Sequence, residues 1–203
     1  MSSNGEPGMN IDTYKRGQAV LALWHTFAGP FRGDPVVPSA FARRVGKFIE
    51  LGIGSDERPG AGTDILFDLA AVFEIGIALD LQDIGLNQLE VARFIMTYRR
   101  QLREALAAID LTPGQGPPVI MSIRARAATE PVRFTETLPK GFSSGKQITW
   151  YEPEFVKGIE SLGKQFEKLR QRDRKRLVIE IRDLALSLAR YLPQMQAKKR
   201  GRQ

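Results

Sequence analysis

Apolar residues recur at helical spacing along much of the chain. From about Asp12 to Phe27, the residues Tyr14, Ala19, Val20, Leu23 and Phe27 mark one stripe and predict a first helix. Gly29 and Pro30 stop it, and 29–38 reads as a loop. A second helix is expected from about Ser39, a candidate N-cap, to Leu51. Phe41, Val45, Phe48 and Ile49 form its buried face, and Arg43, Arg44 and Lys47 point largely the other way. Gly52 and Gly54 end it, as glycine commonly ends helices. The segment 54–62 is rich in turn residues and is followed by the apolar run Ile65-Leu66-Phe67, the pattern of a small hairpin or wing with an edge strand.

Asp68 can cap a third helix running to about Asp83, with Ala71, Val72, Ile75, Leu79 and Leu81 in the core. Gly85 breaks the chain. Asn87, with Glu90 three residues later, resembles a capping box and starts a fourth helix, whose stripe runs from Val91 to Ile109. The Pro/Gly-rich stretch 112–118 reads as a linker or sharp boundary. Beyond it, Val119 to Ala125, Val132 to Thr137 and Gln147 to Tyr151 are candidate strands of a two- or three-stranded antiparallel sheet.

The last stretch, from about Pro153 to Leu192, predicts one long helix. Phe155, Ile159, Leu162, Phe166 and Leu169 follow a 4-3-4-3 spacing, as do Leu177, Ile181, Leu184, Leu188 and Tyr191. The two runs join through Asp173 in the form of a stutter. Such a stripe faces a partner helix in a coiled-coil homodimer or packs on its own domain, unless the helix breaks near Arg172. The expected organisation is therefore mainly α: a disordered leader at 1–11, a winged helical unit at 12–111, a small antiparallel β insertion at 119–152, and a long helix with a basic tail at 153–203.

Charge adds a partner to this picture. Lys and Arg number 30 against 23 Asp and Glu, a net charge of +7 with a sequence pI of about 9.9, which suits a polyanionic partner. The basic residues are clustered: Arg93, Arg99, Arg100 and Arg103; then 164–176; then Lys198, Lys199, Arg200 and Arg202. The chain has no cysteine and a single histidine, His25, so zinc sites of the usual kinds and thiol catalysis are excluded. No apolar run approaches the roughly 18 residues of a membrane span. The polar start has no apolar core of a secretory signal, and a cytoplasmic protein is expected. Gly141 to Gln147 superficially resembles a phosphate-binding loop, but its glycine spacing is one residue short and Gln147 stands where a hydroxyl belongs. Asp80 and Asp83 lie near each other on a helix and read as an exposed acidic face. No catalytic constellation, cofactor site or metal site emerges, and a non-enzyme is expected.

A basic helix beside a Gly/Pro-rich turn is a better signal. A helix enters the major groove of DNA while an adjacent loop reaches the backbone. Arg43, Arg44 and Lys47 are the candidate groove contacts and Arg58 the candidate backbone contact; alternatively, these charges only solvate an amphipathic helix. The order of elements from Arg44 through Ile95 resembles the DNA-binding domain of the MerR family, a winged helix-turn-helix. The residues Arg44-Val45-Gly46-Lys47-Phe48-Ile49-Glu50-Leu51-Gly52-Ile53 are similar to its recognition helix and exit turn. Arg58 to Phe67 corresponds to the wing, and Asp68 to Ile95 to the two helices that complete the domain. Tyr14 to Gln18 would begin its first helix. The loop at 29–38 is longer than the family's tight turn, and Thr63 and Phe67 stand near wing positions where it prefers Arg and Tyr. The family's metal-binding cysteines are missing. The resemblance implies a transcriptional regulator bound to double-stranded DNA, often as a dimer. A protein-interaction adaptor that docks a partner or a second copy through its long helix is the alternative.

Overall fold

The computed structural model describes residues 12–28, 36–55, 65–124, 152–168 and 176–195. Its centre is α3 (Leu69–Asp83), in which every residue from Ala71 to Leu79 is buried, and Leu81 as well. A helix that is apolar on all sides has no solvent face to offer and becomes the axis on which others pack. Around it lie α1 (Arg16–Ala28), α2 (Ser39–Glu50), α4 (Gln88–Ala107) and α6 (Arg182–Tyr191). The approach of α6 is close: a Cβ on Gly76 would stand 2.9 Å from Leu184 Cδ1.

Local signals set the helix ends much as the sequence predicts. The Asp68 side chain accepts the Ala71 N–H at 2.7 Å, and Asn87 accepts the Glu90 N–H at 3.0 Å, each satisfying a donor that the helix leaves unpaired. Helix α2 buries Phe41, Val45, Phe48 and Ile49 as expected, but its N-cap position is Pro38 and Ser39 is already helical. The first helix starts later than expected, at Arg16. Tyr14 and Lys15 instead form β1, paired antiparallel with β2 (Leu66–Phe67), Tyr14 opposite Phe67. The expected edge strand thus exists, and its described partner is the strand that leads into α1. The tip of the expected wing, 56–64 with Arg58, lies outside the described residues.

The C-terminal part corrects the expectation of one long helix. Between Pro153 and Leu192 the chain forms β4 (Glu154–Lys157), α5 (Ile159–Glu167), β5 (Arg176–Glu180) and α6, followed by a short 3-10 turn at Leu192–Gln194. A continuous coiled-coil seam over this stretch is therefore not formed. Both strands flank β3 (Val119–Arg124) antiparallel, in the order β4-β3-β5, with Met121 opposite both Phe155 and Ile179. Alternation explains the change. Val119, Met121 and Ile123 share one sheet face with Phe155, Leu177 and Ile179, and that face packs on the helical core. Gly158 separates β4 from α5 with φ of 84°, a conformation that suits glycine and that a continuous helix does not contain. The Glu180 carboxylate accepts the N–H groups of Arg182 and Asp183, at 3.0 and 2.8 Å, so it caps a fresh helix start. The expected strand at Val119 is present. Those at 132–137 and 147–151 lie outside the described residues.

Residues from both ends of the chain enter one apolar cluster, in which Phe48 and Phe73 are joined by Val119, Ile181 and Leu188. The Pro/Gly-rich turn between α4 and β3 is pinned to it: Arg182 Nη2 donates to the carbonyls of Thr112 (3.1 Å) and Gln115. No helix among the described residues is long and apolar enough to cross a membrane.

Candidate nucleic-acid interface

Helix α2 exists because its apolar residues fall on one side at i, i+4, i+7 and i+8, and burying Phe41, Val45, Phe48 and Ile49 fixes which side faces water. Arg43 and Lys47, four residues apart, stand on the exposed side. Arg43 Nε lies 3.4 Å from the Ser39 carbonyl, and Lys47 Nζ is 3.1 Å from the Glu50 carboxylate. Both contacts are exposed ones within a single helix, and surface pairs of this kind hold a side chain weakly.

Arg44 is placed differently. Its guanidinium turns towards the C-terminal end of α3, where Nε donates to Gln82 Oε1 at 3.0 Å and Nη2 pairs with the Asp83 carboxylate. Arg44 therefore clamps α2 to α3, with Nη1 left over for another acceptor. Close by in sequence, burial pushes the Asp80 carboxyl up to about 6, and the negative charge of Asp83 adds to the effect. Of the expected exposed acidic pair, Asp83 is exposed and serves the clamp, and Asp80 is half-buried. Arg58 is outside the described residues, so the structure brings together Arg43 and Lys47 on one face and sets Arg44 at its edge.

What fixes the exit of α2 is a contact between distant parts of the chain. Glu74 is fully buried in α3. Its Oε1 accepts from Arg103 Nε at 2.6 Å, and its Oε2 accepts the Gly54 N–H at 3.1 Å with Arg99 Nε also 3.1 Å away. Arg99 Nη2 further donates to the Gly52 carbonyl at 2.6 Å. A single carboxylate thus joins α3, α4 and the Gly52–Gly54 turn. That turn requires glycine, since both residues have positive φ and a Cβ on Gly54 would press on the Ala71 carbonyl. Two of the four arginines read as a basic patch on α4 are therefore spent inside. Arg100 pairs with Glu104 on the surface at 3.7 Å. The one available hint was a lone acid in the apolar run Val72-Phe73-Glu74-Ile75, because a buried carboxylate demands a partner.

His25 stacks on Tyr191, with ring centroids 5.3 Å apart, where α1 meets α6. Among the described residues no group of acidic or histidine side chains could hold a metal ion. Comparison with protein-family models, with curated proteins and with solved structures finds no match.

Proposed function

We propose that the protein is a DNA-binding transcriptional regulator that presents α2 to the major groove of a duplex, in the manner of a MerR-like winged helix-turn-helix. The observation that carries this reading is the outward pair Arg43 and Lys47 on a helix held from behind by a four-residue apolar face, by the Arg44 clamp and by the turn anchored on Glu74. A rigid basic helix loses little conformational freedom when it enters a groove. In this reading Arg43 and Lys47 contact bases or phosphates, Arg44 sets the angle of the helix and offers Nη1 to the backbone, and Arg58 reaches a neighbouring phosphate. A homodimer would hold two such helices against two half-sites. The protein would act without catalysis and without a cofactor, in the cytoplasm.

Selection of duplexes from a random library tests this reading. The expected result is enrichment of a short motif. Removing Lys198 to Gln203 should weaken binding to every duplex alike and flatten its salt dependence. No enrichment, or affinity indifferent to salt, rules the regulator out.

The adaptor alternative keeps one observation of its own. Helix α5 buries none of its residues, and Ile159 (73% exposed) and Phe166 (40%) leave apolar surface on it. Under that reading the net charge serves solubility and duplex affinity is weak.

A further inference from the structure

Helix α2 carries a glycine, Gly46, on its flank, one helical turn after Arg43 and next to Lys47. Its small size is put to use. A Cβ built on Gly46 would lie 2.5 Å from Nη2 of Arg16 and 3.7 Å from its Cζ. The guanidinium at the start of α1 thus rests directly on the backbone of α2, in a seat that any larger residue would fill. Arg16 is an exposed residue. It has no hydrogen bond and no acidic partner among the described residues, whereas Lys47 is answered by Glu50 and Arg44 by Asp83. An arginine lying against a helix, its donors unanswered among the described residues, presents a planar fork suited to an oxyanion.

A second pair of contacts anchors the same end of α1. Gln18, two residues on from Arg16, accepts the Lys15 N–H at 2.9 Å through Oε1 and donates through Nε2 to the Met195 carbonyl at 2.6 Å. Met195 is therefore tied to the first turn of α1, which holds the start of this helix against the core.

We infer that Arg16 is a phosphate-binding residue, seated by Gly46, which grips the DNA backbone at the edge of the groove that α2 enters. This rests on the reading of α2 as the DNA-contacting helix. It adds a contact supplied by another element, at the start of α1 rather than on α2.

The test compares the full-length parent with Arg16→Ala, Gly46→Ala and the double variant Arg43→Ala/Lys47→Ala. Each is titrated with the same set of duplexes at two salt concentrations, and folding is followed by thermal melting. Arg16→Ala should weaken every duplex several-fold without changing their rank, and lower the slope of log affinity against log salt by about one phosphate's worth. Gly46→Ala keeps the arginine but takes its seat. It should reproduce part of that loss while melting no lower than the parent, because alanine is the better helix former and only a flexible side-chain end must move. An unchanged salt slope in Arg16→Ala, with binding lost in the double variant, overturns the role of Arg16 and leaves that of α2 standing. A parent that binds no duplex, or a double variant that binds as the parent does, overturns both.

Discussion

Helices α2 and α4 carry the same kind of residue at the same kind of spacing, and the fold uses them in opposite ways. On α2, Arg43 and Lys47 remain on the surface with weak contacts inside their own helix. On α4, Arg99 and Arg103 turn inward onto a carboxylate that no water reaches. The difference lies in what faces them. The buried face of α2 is apolar, so Arg43 and Lys47 stay outward, and only Arg44 at its edge meets an acid, Asp83. The back of α4 meets Glu74, whose burial would be prohibitive without cations beside it. A basic residue on a helix is thus left for an outside partner only where the packed neighbour supplies it no acid.

The contrast can be broken most forcefully at Glu74. Glu74→Ala leaves two guanidinium groups without their buried acid and frees the Gly54 turn. It should cost about 3–5 kcal/mol of folding free energy, read from chemical denaturation. Asp80 on the same helix should behave in the opposite sense. Its folded-state carboxyl lies above the unfolded value, so the folded state holds the proton more tightly and stability falls as pH rises from about 4 through about 6. Asp80→Asn should accordingly raise the melting temperature at pH 7.5, with the gain disappearing towards pH 4. Arg44→Ala, which opens a half-exposed clamp, should lose only ~0.5–1 kcal/mol. Its larger effect should be poorer discrimination between duplexes, measured by competition, as α2 loses its fixed angle.

The helical half was legible because its signals are local. A four-residue apolar face, a capping aspartate and a capping asparagine each act within about one turn, and each was found where its chemistry demands. The C-terminal stretch was not, because helical and strand periodicities share positions over short runs. Leu177 and Ile181 belong to a helical stripe and also to an alternating one, in which Ile179 stands between them and also faces inward. What decides between the two is the pairing of 176–180 with β3, more than fifty residues earlier, helped by β-branched Val178 and Ile179. The Glu74 network was hidden for a similar reason: its members lie 20 to 29 residues apart and meet only once α3 and α4 are packed. At the candidate interface, residue types and helix face could be read from the sequence. That Arg44 is a clamp and that Arg16 lies on Gly46 could not, since both are contacts between helices.

The central claim is that the outward pair on α2 serves binding rather than folding. It is tested most directly by measuring duplex affinity and unfolding free energy on the same preparations of the parent and of Arg43→Ala/Lys47→Ala. The account predicts a stability change within ~0.5 kcal/mol together with a loss of affinity of at least about tenfold, or ~1.4 kcal/mol. Unchanged affinity in a stable double variant would contradict it and turn attention to the apolar face of α5.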